Sequence, residues 1–159
     1  MSATAFVALG ANLGNRQETI AAAISALAAL PSTMVVNRSS LYLTKPLDAD
    51  GDDYINAVVE IRTDSDPEDL LDTLHAIEDQ FGRQRSYQNA PRPLDCDLLL
   101  YEQQVLRTPS IILPHPRMHQ RAFVLVPLLE IAPTIHIPNL GPAQSLLAHV
   151  ADQEIQKLP

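Results

Sequence analysis

Residues 4–10, Thr-Ala-Phe-Val-Ala-Leu-Gly, form a short apolar run that ends at a glycine, and this pattern predicts a buried strand. A turn is expected over residues 11–14. Asn15 and Glu18 then have the N-cap and N3 spacing of a capping box. Because apolar residues recur at helical spacing from there up to Pro31, the sequence predicts that a first helix directly follows the buried strand.

The rest of the chain also predicts a mixture of strands and helices. The predicted elements are strands over 34–43 and 54–63, a helix from Asp66 to Gly82, a strand over 94–101 and a short helix over 122–131. Asp66 before Pro67 is typical of a helix start, whereas Pro127 is unfavourable within the last helix. Strands and helices do not alternate strictly. This order favours an α+β fold, with helices on one face of a largely antiparallel sheet.

The composition limits the classes of function. A chain of 159 residues with 46% hydrophobic residues has the size of one compact domain, which we predict to span residues 1–159. The net charge of -8 disfavours a nucleic-acid partner. One cysteine, Cys96, excludes an internal disulfide, and no apolar stretch reaches the roughly 18 residues of a membrane span. We therefore expect a cytoplasmic monomer that acts on small molecules.

Two aspartates in the strand over 94–101 are the strongest candidates for chemistry. In Leu94-Asp95-Cys96-Asp97-Leu98, the strand period of two places Asp95 and Asp97 together on the face opposite the apolar residues. Like charges repel at this spacing, and a divalent cation with oxygen ligands, such as Mg²⁺, would compensate them. The alternative is a solvated strand face.

Arginines are concentrated around this strand. Six of them lie between residues 83 and 121, where only three acidic residues oppose them: Arg83, Arg85, Arg92, Arg107, Arg117 and Arg121. Arginine binds phosphate oxygens in pairs, so a magnesium site beside several arginines suits a nucleoside triphosphate. Solvated loops containing unrelated arginines remain the alternative, particularly for Arg107 and Arg117.

Two further motifs are less specific. His115 lies between two prolines in a rigid loop, from which its imidazole could donate to a phosphate; its spacing to His119 matches only half of a zinc site. The stretch Gly10-Ala11-Asn12-Leu13-Gly14 lacks the lysine of a phosphate-binding P-loop. A strand-to-helix turn is at least as good an explanation of this stretch as a ligand contact.

Several of these motifs together resemble the 6-hydroxymethyl-7,8-dihydropterin pyrophosphokinase family of the folate pathway. The resemblance extends over nearly the whole chain. Its most specific part is Pro91-Arg92-Pro93-Leu94-Asp95-Cys96-Asp97-Leu98; the other matching stretches are 10–14, Tyr54-Ile55-Asn56-Ala57, Gly82-Arg83-Gln84-Arg85, Pro114-His115 and Arg121-Ala122-Phe123. The resemblance implies a ferredoxin-like α+β sandwich, a largely antiparallel sheet with helices packed on it.

The resemblance also implies an activity: transfer of the β,γ-pyrophosphoryl group of ATP to the hydroxymethyl oxygen of 6-hydroxymethyl-7,8-dihydropterin, with release of AMP. Asp95 and Asp97 would hold two Mg²⁺ ions. The implied catalytic residues are Arg83, Arg92, Asp95 and Asp97. The implied nucleotide-binding residues are His75, Glu78, Arg83, Arg85, Arg92, His115 and Arg121.

The implied pterin site consists of Thr44, Leu47, Tyr54, Asn56 and Phe123. An amide such as that of Asn56 can pair with both donor and acceptor edges of a heterocycle, and Phe123 offers a face for stacking. From the residues alone, Phe123 would be a core aromatic. The chain departs from the family in having no tryptophan, with Tyr87 in the loop where relatives often have one, and in having Ser110 and Ile112 where some relatives have arginine and threonine.

Two other functions use the same residues. A metal-dependent phosphohydrolase would release inorganic phosphate without a pterin, and a nucleotide-sensing module would bind ATP without forming AMP. The polar stretches 48–53 and 83–90 have few apolar residues, and we expect them to close over bound substrates.

Overall fold

A computed structural model describes residues 2–12, 14–46, 52–81 and 94–159. Its helices are α1 (Arg16–Ala28), α2 (Pro67–Gln80) and α3 (Ala122–Ile131), with 3-10 helices at Met118–Gln120 and Ala143–Val150. Its strands are β1 (Ala3–Ala11), β2 (Thr33–Arg38), β3 (Tyr42–Thr44), β4 (Tyr54–Thr63), β5 (Asp95–Tyr101), β6 (Leu106–Arg107), β7 (Ile112–Leu113), β8 (His136–Ile137), β9 (Gly141–Pro142) and β10 (Ile155–Lys157).

The main sheet has the strand order β10-β3-β4-β1-β5, and β2 also pairs with β4. All of these pairings are antiparallel. Because β2 and β3 pair with successive parts of β4, they act as one interrupted strand. The chain then follows a β-α-β-β-α-β order, which is the ferredoxin-like arrangement. The predicted α+β fold and antiparallel sheet are thereby confirmed.

The predicted strand over residues 34–43 was wrong at its centre, because β2 ends at Arg38 and a separate strand, β3, begins at Tyr42. Ser39 lies at the break. Its N–H donates to the Val58 carbonyl over 2.9 Å, while its hydroxyl accepts the Val58 N–H, also over 2.9 Å. A side chain thus replaces part of the backbone ladder, a competition for which serine is well suited.

Apolar residues cover both faces of the sheet. On one face, Val7 and Leu9 pack with residues of α1 and α2; on the other, Phe6 and Ala8 pack with residues of α3. The expectation that the helices lie on a single face was therefore wrong for α3. The physical reason is the continuous apolar run of β1, which leaves its second face to be buried as well.

The caps of the first two helices confirm their predicted starts. The side chain of Asn15 accepts the Glu18 N–H over 3.2 Å, and that of Asp66 accepts the Asp69 N–H over 2.9 Å. The predicted helix over 122–131 is also present, with Pro127 inside it. Among residues 2–12, 14–46, 52–81 and 94–159, no helix combines the length and apolar character needed to cross a membrane.

Helix α3 is tied to β3 by one carboxylate. Glu130 Oε1 accepts from the Ser40 N–H over 2.9 Å and from the Tyr42 hydroxyl over 2.7 Å, while Oε2 accepts from the Ser40 hydroxyl over 2.7 Å. Burial raises the pKa of Glu130, but the hydrogen bonds from Tyr42 and Ser40, together with the charge of Lys157, outweigh burial and hold that pKa below its ordinary value. The ionised carboxylate therefore favours the folded state.

We expect Glu130→Gln to lower the free energy of unfolding by about 1–2 kcal/mol at pH 7, because the substitution removes the charge that strengthens these hydrogen bonds. The loss is no larger because the carboxylate is partly exposed to solvent. A depressed folded-state pKa contributes stability above the unfolded-state pKa. The difference should thus be complete above about pH 5 and shrink as the pH falls below about 4. Urea denaturation across this range measures it.

The matched control is Glu154→Gln. Glu154 pairs with Lys45 over 3.1 Å, but both side chains are largely exposed, so we expect no measurable change in stability. A Glu130→Gln effect that is equally large at pH 3 and pH 7 would contradict the role assigned to the charge.

Candidate active site

The two aspartates project from β5 as predicted. Leu94, Cys96 and Leu98 belong to the core under α1 and α2, whereas Asp95 and Asp97 are partly exposed on the opposite face. In the register of the sheet, Asp95 is opposite Gly10 and Asp97 is opposite Ala8. The prediction that both carboxylates share one face is confirmed.

Both aspartates line the larger of two adjoining cavities, of about 870 Å³. This larger cavity extends from β5 across β1 and β4 to β3 on one side and to the start of α3 on the other. It brings together seven of the residues predicted for the site: Thr44, Tyr54, Asn56, Asp95, Asp97, Arg121 and Phe123. Residues far apart in the sequence thus meet in a single cleft, which can accept a small molecule.

Asn56 and Thr44 form the polar floor of the larger cavity. Both side chains are buried, and Asn56 Nδ2 donates to Thr44 Oγ1 over 2.6 Å. Gly10, in β1, makes this arrangement possible: a Cβ at that position would lie 2.9 Å from Asn56 Oδ1. The expected turn starting at residue 11 was therefore placed too early, because β1 continues through Ala11 and keeps Gly10 within the sheet.

Arg121 and Phe123 form the opposite side of the larger cavity, at the start of α3. Arg121 Nη1 lies 4.0 Å from Asp97 Oδ2, and the guanidinium carbon lies 5.4 Å from the centroid of the Phe123 ring. The ring is only partly buried and lines the cavity. Phe123 is therefore not the fully enclosed core aromatic that its sequence context alone suggested, and it offers a face for stacking.

The smaller cavity, of about 340 Å³, lies between α2, β5 and the segment 108–116. It is lined by three of the predicted nucleotide-binding residues, His75, Glu78 and His115, and by Asp97. Ser110 and Ile112 also line it. Asp97 is the one predicted metal ligand that borders both cavities.

Glu78 has a structural contact that the sequence did not indicate. Its carboxylate is buried, and Oε2 accepts the Cys96 N–H over 2.8 Å. Cys96 lies between the two aspartates, so this bond holds α2 against the strand that carries them. Burial, and then the charges of Glu78, Asp97 and Asp95, raise the pKa of the Cys96 thiol, which therefore stays protonated and is a poor nucleophile.

The surroundings of His115 favour its neutral imidazole. Its Nδ1 accepts the Arg117 N–H over 3.2 Å, so the proton of the neutral ring is on Nε2, which can donate. Burial lowers the pKa of His115; the charge of Asp97 opposes this, and those of Arg121 and Arg117 add to it. The backbone of His115 donates to the Leu99 carbonyl over 2.9 Å and follows a cis peptide between Leu113 and Pro114.

The carboxylate pair suits a magnesium ion. In the part of the chain that the structure describes, no group of three or more His, Cys, Asp or Glu side chains is arranged to hold a metal. Mg²⁺ usually takes one or two protein carboxylates and completes its octahedron with water and substrate phosphates. Asp95 and Asp97, at the border of an open cleft, match this donor set.

Several predicted positions lie outside the described residues. These are the site residues Leu47, Arg83, Arg85 and Arg92, together with Tyr87 and most of the stretches expected to close over substrates. Of the two arginines with open assignments, Arg117 lines the larger cavity, whereas Arg107 is exposed on β6 and lines neither cavity.

Other residues that no sequence motif indicated also line the larger cavity. Gly10 lies in a motif that predicts a turn, but a glycine in a strand often marks a close approach of another group. Lys45, Gln120, Asp152 and Gln153 also line the larger cavity. The last two lie in a C-terminal segment without apolar periodicity or a recognisable motif, so no pattern there indicated a site.

Comparison with known proteins gives consistent matches. A family model described as 7,8-dihydro-6-hydroxymethylpterin-pyrophosphokinase (HPPK) matches residues 6–133. The 2-amino-4-hydroxy-6-hydroxymethyldihydropteridine pyrophosphokinase of Haemophilus influenzae is 42% identical over 98% of this chain and 98% of its own length. The protein of the same name from Pseudomonas aeruginosa is 43% identical over 97% of this chain and 96% of its own length.

Solved structures support the fold. The Plasmodium falciparum HPPK-DHPS structure with pteroate matches 95% of this chain with a TM-score of 0.76. The sequence identity is 14%, so this similarity shows a shared fold and nothing finer. The present chain spans 43% of that longer chain.

Proposed function

Because this chain belongs to the 7,8-dihydro-6-hydroxymethylpterin-pyrophosphokinase family, we propose that it transfers the β,γ-pyrophosphoryl group of ATP to 6-hydroxymethyl-7,8-dihydropterin. The observation that carries the proposal is the position of Asp97 on the border between the two cavities. A transferase must hold the reacting groups of its two substrates next to each other, and two cavities that share the Asp97 carboxylate allow this.

The larger cavity suits the pterin. The Asn56 amide and the Thr44 hydroxyl are buried polar groups that can pair with the edge of a flat heterocycle, and Phe123 offers a ring face. A pocket built on buried hydrogen-bonding groups discriminates strongly against ligands that leave those groups unpaired. We therefore assign the pterin to this cavity, with its hydroxymethyl group directed toward Asp97.

The smaller cavity suits the nucleoside of ATP. Among the described residues that line it there is no lysine or arginine, whereas Arg117 and Arg121 line the larger cavity. Triphosphate charge would therefore be attracted past Asp97 toward those arginines, while the uncharged base and ribose remain near His75 and Ile112. His115 borders the smaller cavity, where its Nε2 proton can be donated to a phosphate oxygen.

The reaction needs positioning and charge neutralisation more than a strong base. The pterin hydroxymethyl oxygen forms a bond to the β-phosphorus, the bond between that phosphorus and the α,β-bridging oxygen breaks, and AMP leaves with that oxygen. The hydroxyl proton passes to solvent or phosphate. Mg²⁺ held by Asp95 and Asp97 would supply neutralisation of the phosphate charge, while Arg121 and the neutral His115 orient the phosphate chain.

An assay of products tests this proposal against its two alternatives. The protein is incubated with Mg²⁺ and ATP, with and without 6-hydroxymethyl-7,8-dihydropterin, and AMP, ADP and inorganic phosphate are separated. We expect AMP and the pterin diphosphate in equal amounts, and only when the pterin is present. Pterin-independent release of phosphate would instead indicate a phosphohydrolase, and ATP binding without any product would indicate a sensing module.

A further inference from the structure

We propose that Gln153 is a positioning residue for the pterin side of the larger cavity, acting through the backbone on both sides of Arg121. This inference rests on the proposed function, because it assigns a role toward the acceptor substrate. Gln153 follows the 3-10 helix Ala143–Val150 and lies beyond residues 6–133, the segment that the family model matches.

Gln153 makes two hydrogen bonds to the backbone, one to the residue before Arg121 and one to the residue after it. Its Oε1 accepts the Ala122 N–H over 2.8 Å, and its Nε2 donates to the Gln120 carbonyl over 2.9 Å. The Gln153 amide thus acts both as an acceptor and as a donor, which are the two roles that its chemistry allows.

The bond to Ala122 also caps helix α3. A helix leaves its first N–H groups without partners inside the helix, and Arg121, at the N-cap position, makes no side-chain capping bond in the described part of the chain. Gln153 supplies the missing acceptor from a distant segment. Because Phe123 is in the first turn of α3, the direction of its ring depends on this end of the helix.

The residues after Gln153 bind the other side of the same cavity. Strand β10 pairs with β3, with Ile155 opposite Thr44, and the Leu158 N–H donates to the Leu41 carbonyl over 2.9 Å. One short segment therefore holds both the start of α3, with Phe123, and β3, with Thr44. The distance between these two sides determines whether a flat ring fits between Phe123 and the polar floor.

This geometry gives a specific expectation for Gln153→Met, which keeps the length of the side chain but removes both hydrogen bonds. The start of α3 would lose its anchor, and the pterin would bind more weakly. We expect the Kd for 6-hydroxymethyl-7,8-dihydropterin, measured with a non-hydrolysable ATP analogue and Mg²⁺ bound, to rise roughly tenfold. The Kd of the ATP analogue alone should rise less, by about threefold at most, because of the nucleotide contacts only that of Arg121 depends on Gln153, which does not line the smaller cavity.

Two further variants make the test decisive. Gln156→Met is the matched control, since Gln156 is exposed on β10 and should leave both affinities unchanged. Gln153→Glu keeps the acceptor for Ala122 but loses the donor to Gln120, so its pterin affinity should lie between those of the wild type and Gln153→Met. This variant also keeps the test possible if Gln153→Met does not fold.

The outcomes are distinct from those for the proposed function. An unchanged pterin Kd in Gln153→Met, or pterin and nucleotide affinities that fall by the same factor, would overturn the positioning role. If the wild type forms no AMP, the proposed function fails, but the binding measurements need no turnover and still decide whether Gln153 shapes a pterin pocket.

Discussion

Asp97→Asn is expected to lower the rate of AMP formation by roughly a thousandfold while leaving the protein folded. Asp97 borders both cavities, so its charge acts where the phosphate chain of the nucleotide must meet the acceptor. The amide keeps the size of the side chain but removes the charge that a magnesium ion needs. Steady-state AMP formation at saturating ATP and pterin measures the loss.

We expect Asp97→Asn to lose activity without losing stability. The Asp97 side chain is 40% exposed, and its contact with Arg121 is 4.0 Å long, so the ion pair contributes little. Removing the charge also relieves repulsion from the neighbouring carboxylate on the same strand face. We expect the free energy of unfolding without ligands to stay within about 1 kcal/mol of wild type.

The matched control for Asp97→Asn is Asp72→Asn, on an exposed position of α2, which should keep full activity. A thermal-shift measurement adds a second comparison. Mg²⁺ with an ATP analogue should raise the Tm of the wild type and of Asp72→Asn but not that of Asp97→Asn. Near-normal turnover by folded Asp97→Asn would remove Asp97 from the metal site and, with it, the basis of the proposed chemistry.

The features that local patterns could predict are those that depend on neighbouring residues. The period of two in 94–98 was sufficient to place Asp95 and Asp97 on one face, and the caps at Asn15 and Asp66 lie at the starts of α1 and α2. These predictions needed only the geometry of one strand or one helical turn.

Features that depend on contacts between distant segments could not be predicted in this way. Ser39 interrupts a strand because it bonds to Val58 of another strand, and Gln153 caps a helix that starts 31 residues earlier. Neither residue belongs to a local motif. The resemblance to a family predicted Thr44 and Asn56 as site residues. The reason that the Asn56 amide fits beside β1 and bonds to Thr44 is the glycine at position 10, and it became visible only in the folded arrangement.

Gly10→Ala is expected to raise the KM for the pterin roughly a hundredfold, with a smaller effect on the KM for ATP. A Cβ at position 10 would lie 2.9 Å from Asn56 Oδ1, closer than two such atoms can remain, so the amide must move. Its bond to Thr44, 2.6 Å long, would then be strained or lost, and the buried polar floor would no longer match the heterocycle.

Gly14→Ala is the contrasting control. Gly14 has a φ of 60°, which disfavours any residue with a side chain, but a Cβ there would meet nothing within 4 Å. We expect this variant to lose roughly 1–2 kcal/mol of stability without a change in pterin KM. Gly10→Ala should show the opposite pattern, because its backbone is ordinary strand and its effect is on Asn56.

A double-mutant cycle then tests whether Gly10 acts through Asn56. In the Asn56→Ala background the colliding atom is absent, so adding Gly10→Ala should change the pterin KM less than threefold, compared with roughly a hundredfold in the wild type. Additive effects of the two substitutions would show that the glycine is needed for another reason, such as direct contact between the backbone of β1 and the pterin. Strong coupling would instead assign Gly10 the function of keeping the Asn56 amide in its binding position.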